Sequence, residues 1–511
     1  MVENVLEEKS LKSLLKEKII EHMLSTHLHG LPHIIRNKHL SMKILWIAFF
    51  IGFTSISFVM ISNNLIEYFN YSVVTNIMEH VEREPDFPSV TICAVDPFVT
   101  KAASDYIESK FPEYFNISFS YTTNNDTNYD IYDVLSTVRF KILNEAKSPN
   151  FSYKSKQKFG YGIKEIIIRC NYDDKPCGDT GMNFKWYYSF YYGNCYTFNS
   201  GFTYEIDTPD ENSTMSSVPL RKIRKPGENN GLSIEMYSGS RDAKYSLEDY
   251  GAIVFIHNQS RIPESSLGIF VQPGTAAKIV FQKIFNHLWP YPYSECHDLS
   301  TFEFDRSLYN VFGKNNFTYT ASDCFNLCLQ KQIISACSCY YDEFFPLDDS
   351  RACLTDDDLD CVNLQYSWYE EKNTPSLCSL QCPLECYSLK YDYTISNSGY
   401  PSDAYAKILR INPIVYNHYA NFRPTMNEVK RDVLSFKIFA YDFKYTQTIE
   451  SPQINAINLF SNIGGKKTTK LYNELLFSVH HLIYLPNKII NSSNKKRPYK
   501  FRIDILLFSM Y

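Results

Sequence analysis

The chain has 511 residues, of which 44% are hydrophobic, and this is enough apolar material for a sizeable core. Its formal net charge is only −5 and no long run of Lys and Arg occurs, which argues against nucleic acid as a partner. The length alone fits either a few domains or one large domain.

Residues 1–43 precede the most apolar segment of the chain. Within them, the stretch 6–24 places several apolar side chains near one helical stripe. This pattern predicts a short amphipathic helix that lies at the membrane or against a neighbouring segment. The side chains of the stripe are Leu11, Leu14, Leu15, Ile19 and Leu24.

The segment 44–66 carries no charged residue across 23 positions. As a helix, a segment of this length crosses about 30 Å of hydrocarbon. A cleaved signal peptide fits less well, because the apolar run is too long for a signal sequence and starts too far into the chain. A buried core helix would normally have a polar face. The segment therefore predicts a transmembrane helix in contact with membrane lipid.

The charges that flank this segment predict its orientation. Arg36, Lys38 and Lys43 lie just before it, whereas the next basic residue after it is Arg83. Because basic residues collect on the cytosolic side, the N-terminus is expected in the cytosol and everything after about residue 66 outside the cell.

Cysteines and glycosylation sequons all lie on the predicted outer side. The 14 cysteines lie between Cys93 and Cys386, where an oxidising exterior would let them pair. The N-x-S/T sequons predict glycosylation of a secreted or surface-exposed region. They are at Asn70, Asn116, Asn125, Asn150, Asn212, Asn258, Asn316 and Asn491.

Residues 67 to about 465 are predicted to form one mixed α and β extracellular domain. Strands are predicted at 87–93 and 251–257. The segment 439–445 alternates aromatic residues with small or charged ones, which predicts a half-buried strand. The aromatic residues expected to face inward are Phe439, Tyr441, Phe443 and Tyr445.

The region of about 296–386 holds ten of the 14 cysteines. Cys324 and Cys328 are spaced i and i+4, which puts both on one face of a helix. A structural zinc site would need matching pairs, whereas an even number of cysteines outside the cell favours disulfides and no metal. Such bridges would stiffen the region, and this stiffness serves either stability outside the cell or the transmission of movement.

The acidic segment 355–360, TDDDLD, has two interpretations. Repulsion between its carboxylates would raise the pKa of some of them, or the segment is simply a solvated acidic loop. No GxSxG, HExxH or cysteine–histidine signature occurs in the chain, so we predict neither an enzyme nor a bound cofactor.

Several motifs follow one another from about residue 25 to residue 465. They are STHLHGL (25–31), FPSVTIC (87–93), YGNCYTFN (192–199), GLSIEMY (231–237), GAIVFIH (251–257), VQPG (271–274), YPYSEC (291–296), SGYPS (398–402) and YTQTIESPQINAINLFSNIGG (445–465). In this order they resemble the degenerin/epithelial sodium channel family, which includes the acid-sensing channels.

The resemblance implies an α+β membrane protein with a large disulfide-rich extracellular domain of the palm, β-ball, finger, thumb and knuckle type. The thumb would be the region of about 296–386. It also implies a subunit of a homo- or heterotrimeric channel in the plasma membrane. Such a channel would be amiloride-sensitive and selective for the sodium ion, and a ligand or another stimulus would open it.

The resemblance also implies seven disulfides. By the family pattern, Cys93 would pair with Cys195 and Cys170 with Cys177. A ladder in the thumb would pair Cys296 with Cys386, Cys324 with Cys382, Cys328 with Cys378, Cys337 with Cys361 and Cys339 with Cys353.

Four further residues receive roles only from this resemblance. His29 and Gly30 would form part of the cytosolic end of the pore, although His29 taken alone also fits a surface histidine. Tyr71 and Tyr293 would form an aromatic contact at the wrist between the outer domain and the membrane segments. Taken alone, they are two among 40 tyrosines.

The last segment, 466–511, departs from the family pattern. In the family, a Gly-Gly pair such as Gly464–Gly465 leads into a second membrane helix with a Gly-x-Ser sodium filter and an acidic residue. Here Lys466 and Lys467 follow, and the later apolar stretches are interrupted by charge or too short to span. We therefore expect no second spanning helix in this tail, whose composition suggests a translated retained intron or a truncated transcript. The alternative function is a non-conducting, single-pass relative that binds a ligand or modulates full-length channel subunits.

Overall fold

The described residues fall into two compact units. In this computed structural model, one unit comprises Met1–Val74 with Pro452–Tyr511, and the other comprises Thr75–Ser451. The structure describes residues 2–25, 31–110, 112, 157–178, 183–189, 191–204, 215–239, 249–259, 261, 268–298, 312, 318–341, 344, 347, 350–351, 353, 355–371, 378–419 and 422–464.

Helices and strands are both abundant in the described residues, as the predicted α+β class requires. The helices are α1 (Val2–Ser25), α2 (Leu31–Arg36), α3 (Leu40–Phe69), α4 (Lys101–Lys110), α5 (Ile163–Ile166), α6 (Ala321–Cys337), α7 (Asp356–Glu371), α8 (Asp403–Leu409), α9 (Pro413–Asn417), α10 (Met426–Asp432) and α11 (Ala456–Gly464). The strands are β1 (Val73–Val81), β2 (Ser89–Ala94), β3 (Ile167–Tyr172), β4 (Lys175–Pro176), β5 (Phe184–Ser189), β6 (Gly193–Phe198), β7 (Phe202–Tyr204), β8 (Met215–Ser217), β9 (Leu232–Tyr237), β10 (Ala252–His257), β11 (Ile269–Val271), β12 (Thr275–His287), β13 (Cys296–His297), β14 (Leu384–Glu385), β15 (Tyr387–Gly399) and β16 (Val433–Pro452).

The first unit is built around α3, which contains the predicted membrane segment 44–66 and extends it at both ends. Asn70 caps the C-terminal end of the helix, and its backbone N–H donates to the Ile66 carbonyl at 2.9 Å. Both α2 and α11 pack against α3.

The second unit contains two large sheets. The seven-stranded sheet has the order β15-β12-β16-β9-β3-β4, and β1 pairs with β16 beside this path. Its central pair, β12 and β16, is parallel, whereas β12 pairs with β15 in antiparallel fashion. The five-stranded sheet has the order β11-β10-β2-β6-β5. The strands predicted at 87–93 and 251–257 are β2 and β10, which pair with each other.

One hydrophobic core joins the two sheets, because alternate residues of their strands point toward each other. Phe87, just before β2, is fully buried there and packs edge-on against Phe281 of β12 and Tyr172 of β3. Each edge-to-face pair of this kind stabilises the fold by about 1 kcal/mol beyond the burial of its rings.

The prediction for 439–445 is correct for the strand but wrong for one of its faces. The segment lies in β16, where Ala440 is buried and Tyr441 is exposed, although Tyr441 was expected to face inward. In this part of β16 the alternate residues Phe436, Ile438 and Ala440 face the core, so Tyr441 lies on the opposite face. An irregularity in the ladder follows, because Phe281 pairs with Ala440 but Lys283 pairs with Tyr445. The extra residues of β16 reverse the alternation, so that the side chain of Phe443 returns to the core.

Candidate functional site

Among the described residues, α3 is the helix that is long and apolar enough to cross a membrane. Its 30 residues make a helix of about 45 Å, which exceeds the roughly 30 Å of bilayer hydrocarbon. Large apolar side chains such as Ile51 and Phe58 are exposed along it. Exposed apolar side chains around a helix are expected where lipid is the solvent.

The short helix α2 folds back against the start of α3. The His33 ring stacks on the Trp46 ring with centroids 4.7 Å apart, and Trp46 is only 3% exposed. Asn37 closes the turn between the helices by donating its side-chain N–H to the His33 carbonyl at 3.0 Å. The start of the membrane helix is therefore held by a packed hairpin.

The other end of α3 is bound to the segment that leads into α11. The Gln453 backbone N–H donates to the Ser72 carbonyl at 2.9 Å, and its side-chain amide donates to the Glu67 carboxylate at 2.6 Å. Leu459 of α11 is buried. Tyr71 lies in this turn with a φ of 52°, a left-handed conformation that few residues other than glycine adopt.

Seven disulfides cross-link the second unit, and each joins the two cysteines that the family pattern pairs. They are Cys93–Cys195, Cys170–Cys177, Cys296–Cys386, Cys324–Cys382, Cys328–Cys378, Cys337–Cys361 and Cys339–Cys353. Helix α6 carries three of these cysteines, Cys324, Cys328 and Cys337. It is thus tied both to α7 and to the segment before β15, as a stiff strut requires.

The acidic segment 355–360 is not a simple solvated loop, because its residues from Asp356 onward begin helix α7. Asp358 is buried and accepts two hydrogen bonds from the Arg351 guanidinium, at 2.7 and 2.6 Å. It also accepts the Thr355 backbone N–H at 3.0 Å, beside the start of α7. The Asp358 carboxylate raises the pKa of Arg351. The sequence alone did not indicate this partner, because Arg351 lies outside the acidic run.

Ion pairs bridge the strands of the seven-stranded sheet. The Glu228 carboxylate accepts hydrogen bonds of 2.8 Å from both Lys278 of β12 and Lys437 of β16, and these bonds lower its pKa. Lys283 pairs with Glu82 at 3.1 Å, and Lys444 pairs with Glu79 at 2.9 Å. These charges lie partly in solvent, where a single pair contributes at most about 1 kcal/mol.

A half-buried histidine that the sequence did not single out connects three strands of the five-stranded sheet. The His257 ring on β10 is 2.8 Å from the Thr91 hydroxyl on β2, which is 2.7 Å from the Thr197 hydroxyl on β6. Its other nitrogen is 2.8 Å from the Asn258 carbonyl. Burial lowers the pKa of His257 to about 4, so the ring is neutral at physiological pH.

Within the described part of the chain, no group of three or more His, Cys, Asp and Glu side chains is placed to hold a metal ion. The cysteines of the predicted zinc alternative are all engaged in disulfides. Taken together, the described residues form a membrane helix, α3, followed by a domain that seven disulfides cross-link.

Comparison with known proteins decides the family. The profile described as "Amiloride-sensitive sodium channel" matches residues 23–466, which is most of the chain. The chain belongs to the amiloride-sensitive sodium channel family. The match includes the membrane helix α3, both large sheets and all seven disulfides.

Individual relatives in this family have low sequence identity to this chain, but the alignments cover most of it. The chain is 23% identical over 457 residues to the bile acid-sensitive ion channel of Mus musculus, covering 87% of this chain and 82% of the relative. It is 23% identical over 480 residues to that of Homo sapiens, covering 90% and 84%. It is 27% identical over 344 residues to the epithelial sodium channel subunit gamma of Neoceratodus forsteri, covering 66% and 48%.

Membership of the amiloride-sensitive sodium channel family supports a role as a subunit of a sodium or cation channel. The family consists of plasma-membrane channels with a large extracellular domain, and it is not a family of enzymes. The disulfide-rich unit Thr75–Ser451 corresponds to that extracellular domain.

The residues to which the amiloride-sensitive sodium channel pattern assigns pore and wrist roles remain predictions. His29 and Gly30 lie outside the described residues, directly before α2. Tyr71 belongs to the first unit and Tyr293 to the second, where the Tyr293 ring meets Trp289 edge-on at 6.4 Å. The predicted contact between the two tyrosines therefore stays a hypothesis.

The predicted glycosylation sites also remain predictions. Asn70 is the C-cap residue directly after α3, and Asn258 lies just after β10. The remaining sequons, Asn116, Asn125, Asn150, Asn212, Asn316 and Asn491, lie outside the described residues.

Proposed function

We propose that the chain is a subunit of a trimeric, sodium-selective channel of the amiloride-sensitive type, opened by an extracellular stimulus. The observation that carries the proposal is the family match over residues 23–466, which includes a membrane helix and the complete set of seven disulfides. Its N-terminus lies in the cytosol and its disulfide-rich domain outside, as the basic residues before α3 indicate.

Open sheet surfaces support association with related subunits. Among the described strands, β15 is an edge of the seven-stranded sheet, so one side of its backbone pairs with none of them in that sheet. Large apolar side chains are exposed on the same sheet at Ile77, Val81, Ile395 and Tyr441. Exposed apolar surface next to an open strand edge is typical of a surface that another chain covers.

The disulfide ladder supports a route for the stimulus. Helix α6 is covalently tied to Cys378 and Cys382, and Cys386 in the same segment is tied to Cys296. Cys296 directly follows the loop that carries Tyr293. In the proposed mechanism, movement of the cross-linked helices reaches Tyr293, which presses on Tyr71 beside the membrane helix. The His29–Gly30 pair then shapes the cytosolic end of the pore.

A second function is favoured by the residues that follow the family match. The match ends at residue 466, and the lysines Lys466, Lys467 and Lys470 lie at and just after its end. A chain whose residues 466–511 supply no pore helix would not conduct by itself. It would instead join trimers of related subunits and change their current.

Recording from oocytes separates the two functions. The chain is expressed alone, and sodium current is measured with and without amiloride. Amiloride-blocked sodium current supports the conducting subunit. If the chain reaches the surface without current, it is co-expressed with a full-length relative, and a changed current supports the modulating role. No current alone and an unchanged current in co-expression would contradict both.

A further inference from the structure

A loop rich in aromatic residues, 288–295, connects β12 to β13. It reads Leu-Trp-Pro-Tyr-Pro-Tyr-Ser-Glu and contains no lysine or arginine. We refer to residues 288–295 as the aromatic loop. Tyr291 at its tip is 72% exposed, and its ring stacks on the His297 ring with centroids 6.1 Å apart. A large ring in such an exposed position has no role in the core of the domain.

The aromatic loop is held in one shape. The Tyr291 N–H donates to the Cys296 carbonyl at 3.1 Å, and the Ser294 hydroxyl donates to the Trp289 carbonyl at 2.6 Å. Cys296 is fixed in turn by its disulfide to Cys386. Because the loop is already ordered, its exposed ring can bind a surface without a large loss of conformational entropy.

The aromatic loop lies at the end of the seven-stranded sheet from which the chain continues toward α3 and α11. The last residue of β12, His287, pairs with Ile449 of β16, and the Trp289 N–H donates to the Glu450 carboxylate at 3.1 Å. The unit's last residue, Ser451, is in turn 3.4 Å from the Asn76 side chain, beside the unit's first residue. Along the chain, residues 70–74 lie between the last residue of α3 and the first residue of this unit.

We propose that the aromatic loop is a membrane-contact surface that places the Tyr291 ring in the headgroup layer of the outer leaflet. Tyrosine and tryptophan collect at the membrane–water interface, because their rings are apolar while their O–H and N–H groups still form hydrogen bonds. The loop contains no cationic side chain but does contain Glu295, so the lipid it fits is zwitterionic rather than anionic. The inference rests on the proposed orientation, with the disulfide-rich domain outside.

Phe422 offers a matched control position. It is 78% exposed and lies shortly before α10, which leads into the first residue of β16. The opposite end of β12 lies beside that residue, because the Gly274 N–H donates to the Val433 carbonyl at 2.8 Å. The 13 residues of β12 span about 40 Å. Phe422 is therefore equally open to solvent but far from the aromatic loop.

Photo-crosslinking of the full chain tests the proposal. Tyr291 or Phe422 is replaced with p-benzoylphenylalanine, and each protein is placed in nanodiscs of phosphatidylcholine that carries a radiolabelled choline headgroup. After irradiation, the label on the protein band is counted. We expect at least tenfold more lipid label with the crosslinker at 291 than at 422. Equal labelling at the two positions, or a protein–protein product at 291 without lipid label, would overturn the proposal. A glycosidase-induced mass shift of the same protein reports the orientation independently.

Discussion

At the scale of single residues, His257 makes the stability of the outer domain depend on pH. Burial lowers the pKa of this ring from 6.5 to about 4 in the folded chain. Between these two values the unfolded chain binds a proton at this position and the folded chain does not. The folded state therefore loses stability as the pH falls from about 6.5 to about 4, by up to about 1.4 kcal/mol per pH unit.

The substitution His257→Gln tests this dependence. Glutamine retains one donor and one acceptor for the Asn258 carbonyl and the Thr91 hydroxyl but cannot take up a proton in this range. We expect a weaker fall of the melting temperature between pH 7 and pH 4.5 than in the natural chain. His39→Gln, which removes an exposed histidine outside this network, keeps His257 in place and is the control. An unchanged pH dependence in His257→Gln would contradict the assignment.

Gly231 is a second residue with a clear physical constraint. A Cβ atom at this position would lie 2.0 Å from the Ile438 carbonyl oxygen of β16, a backbone atom that cannot move alone. We expect Gly231→Ala to destabilise the domain by about 1–3 kcal/mol, as overpacking of a core does. Gly399→Ala is the control, since nothing lies within 4 Å of its Cβ position. Thermal unfolding of both variants provides the comparison, and equal melting temperatures would contradict the close approach.

At the scale of elements, the disulfides differ in how much of the chain they constrain. Cys93–Cys195 closes a separation of 102 residues, Cys337–Cys361 one of 24 and Cys170–Cys177 one of 7. In the chain-entropy description, a bridge stabilises by restricting the unfolded chain, and the effect grows with the closed loop.

Removing both cysteines of each pair tests this order. We expect the double variant Cys93→Ala/Cys195→Ala to lose about 5 kcal/mol, Cys337→Ala/Cys361→Ala about 3 and Cys170→Ala/Cys177→Ala about 2. Resistance of the surface-expressed protein to protease should decrease in the same order. Should the short-loop variant prove the most sensitive of the three, the loop-entropy explanation would be wrong for this domain.

Some helices and strands could be predicted from the sequence, whereas the face of a strand and contacts between distant side chains could not. The uncharged run 44–66 and the spacing of Cys324 and Cys328 are local patterns, and the structure confirms a helix at each. The inward face of β16 depends instead on how its ladder with β12 shifts after Phe281, which only the paired strand determines. The Asp358–Arg351 pair and the His257–Thr91–Thr197 connection could not be predicted from the sequence either. Each joins side chains that only the folded structure brings within hydrogen-bond distance.

At the scale of the whole molecule, the family and the mixed α and β class could be predicted because motifs spread from residue 25 to residue 465 keep one order. The bridges that the structure contains follow that same pattern, which no spacing rule alone would give. Conduction, selectivity and subunit number are properties of an assembly, and a single chain does not determine them. They are therefore part of the proposed function, which the oocyte recordings test.

The account depends most on one claim: α3 anchors a disulfide-stapled domain that lies outside the cell, with the N-terminus in the cytosol. Glycosidase treatment of the membrane-inserted chain tests this claim most directly, with Asn116→Gln and Asn212→Gln identifying two of the sites. We predict that glycosidase lowers the mass of the natural chain and that each substitution removes one glycan. A membrane-inserted chain that carries no glycan at either site would contradict the orientation and, with it, the proposed channel subunit.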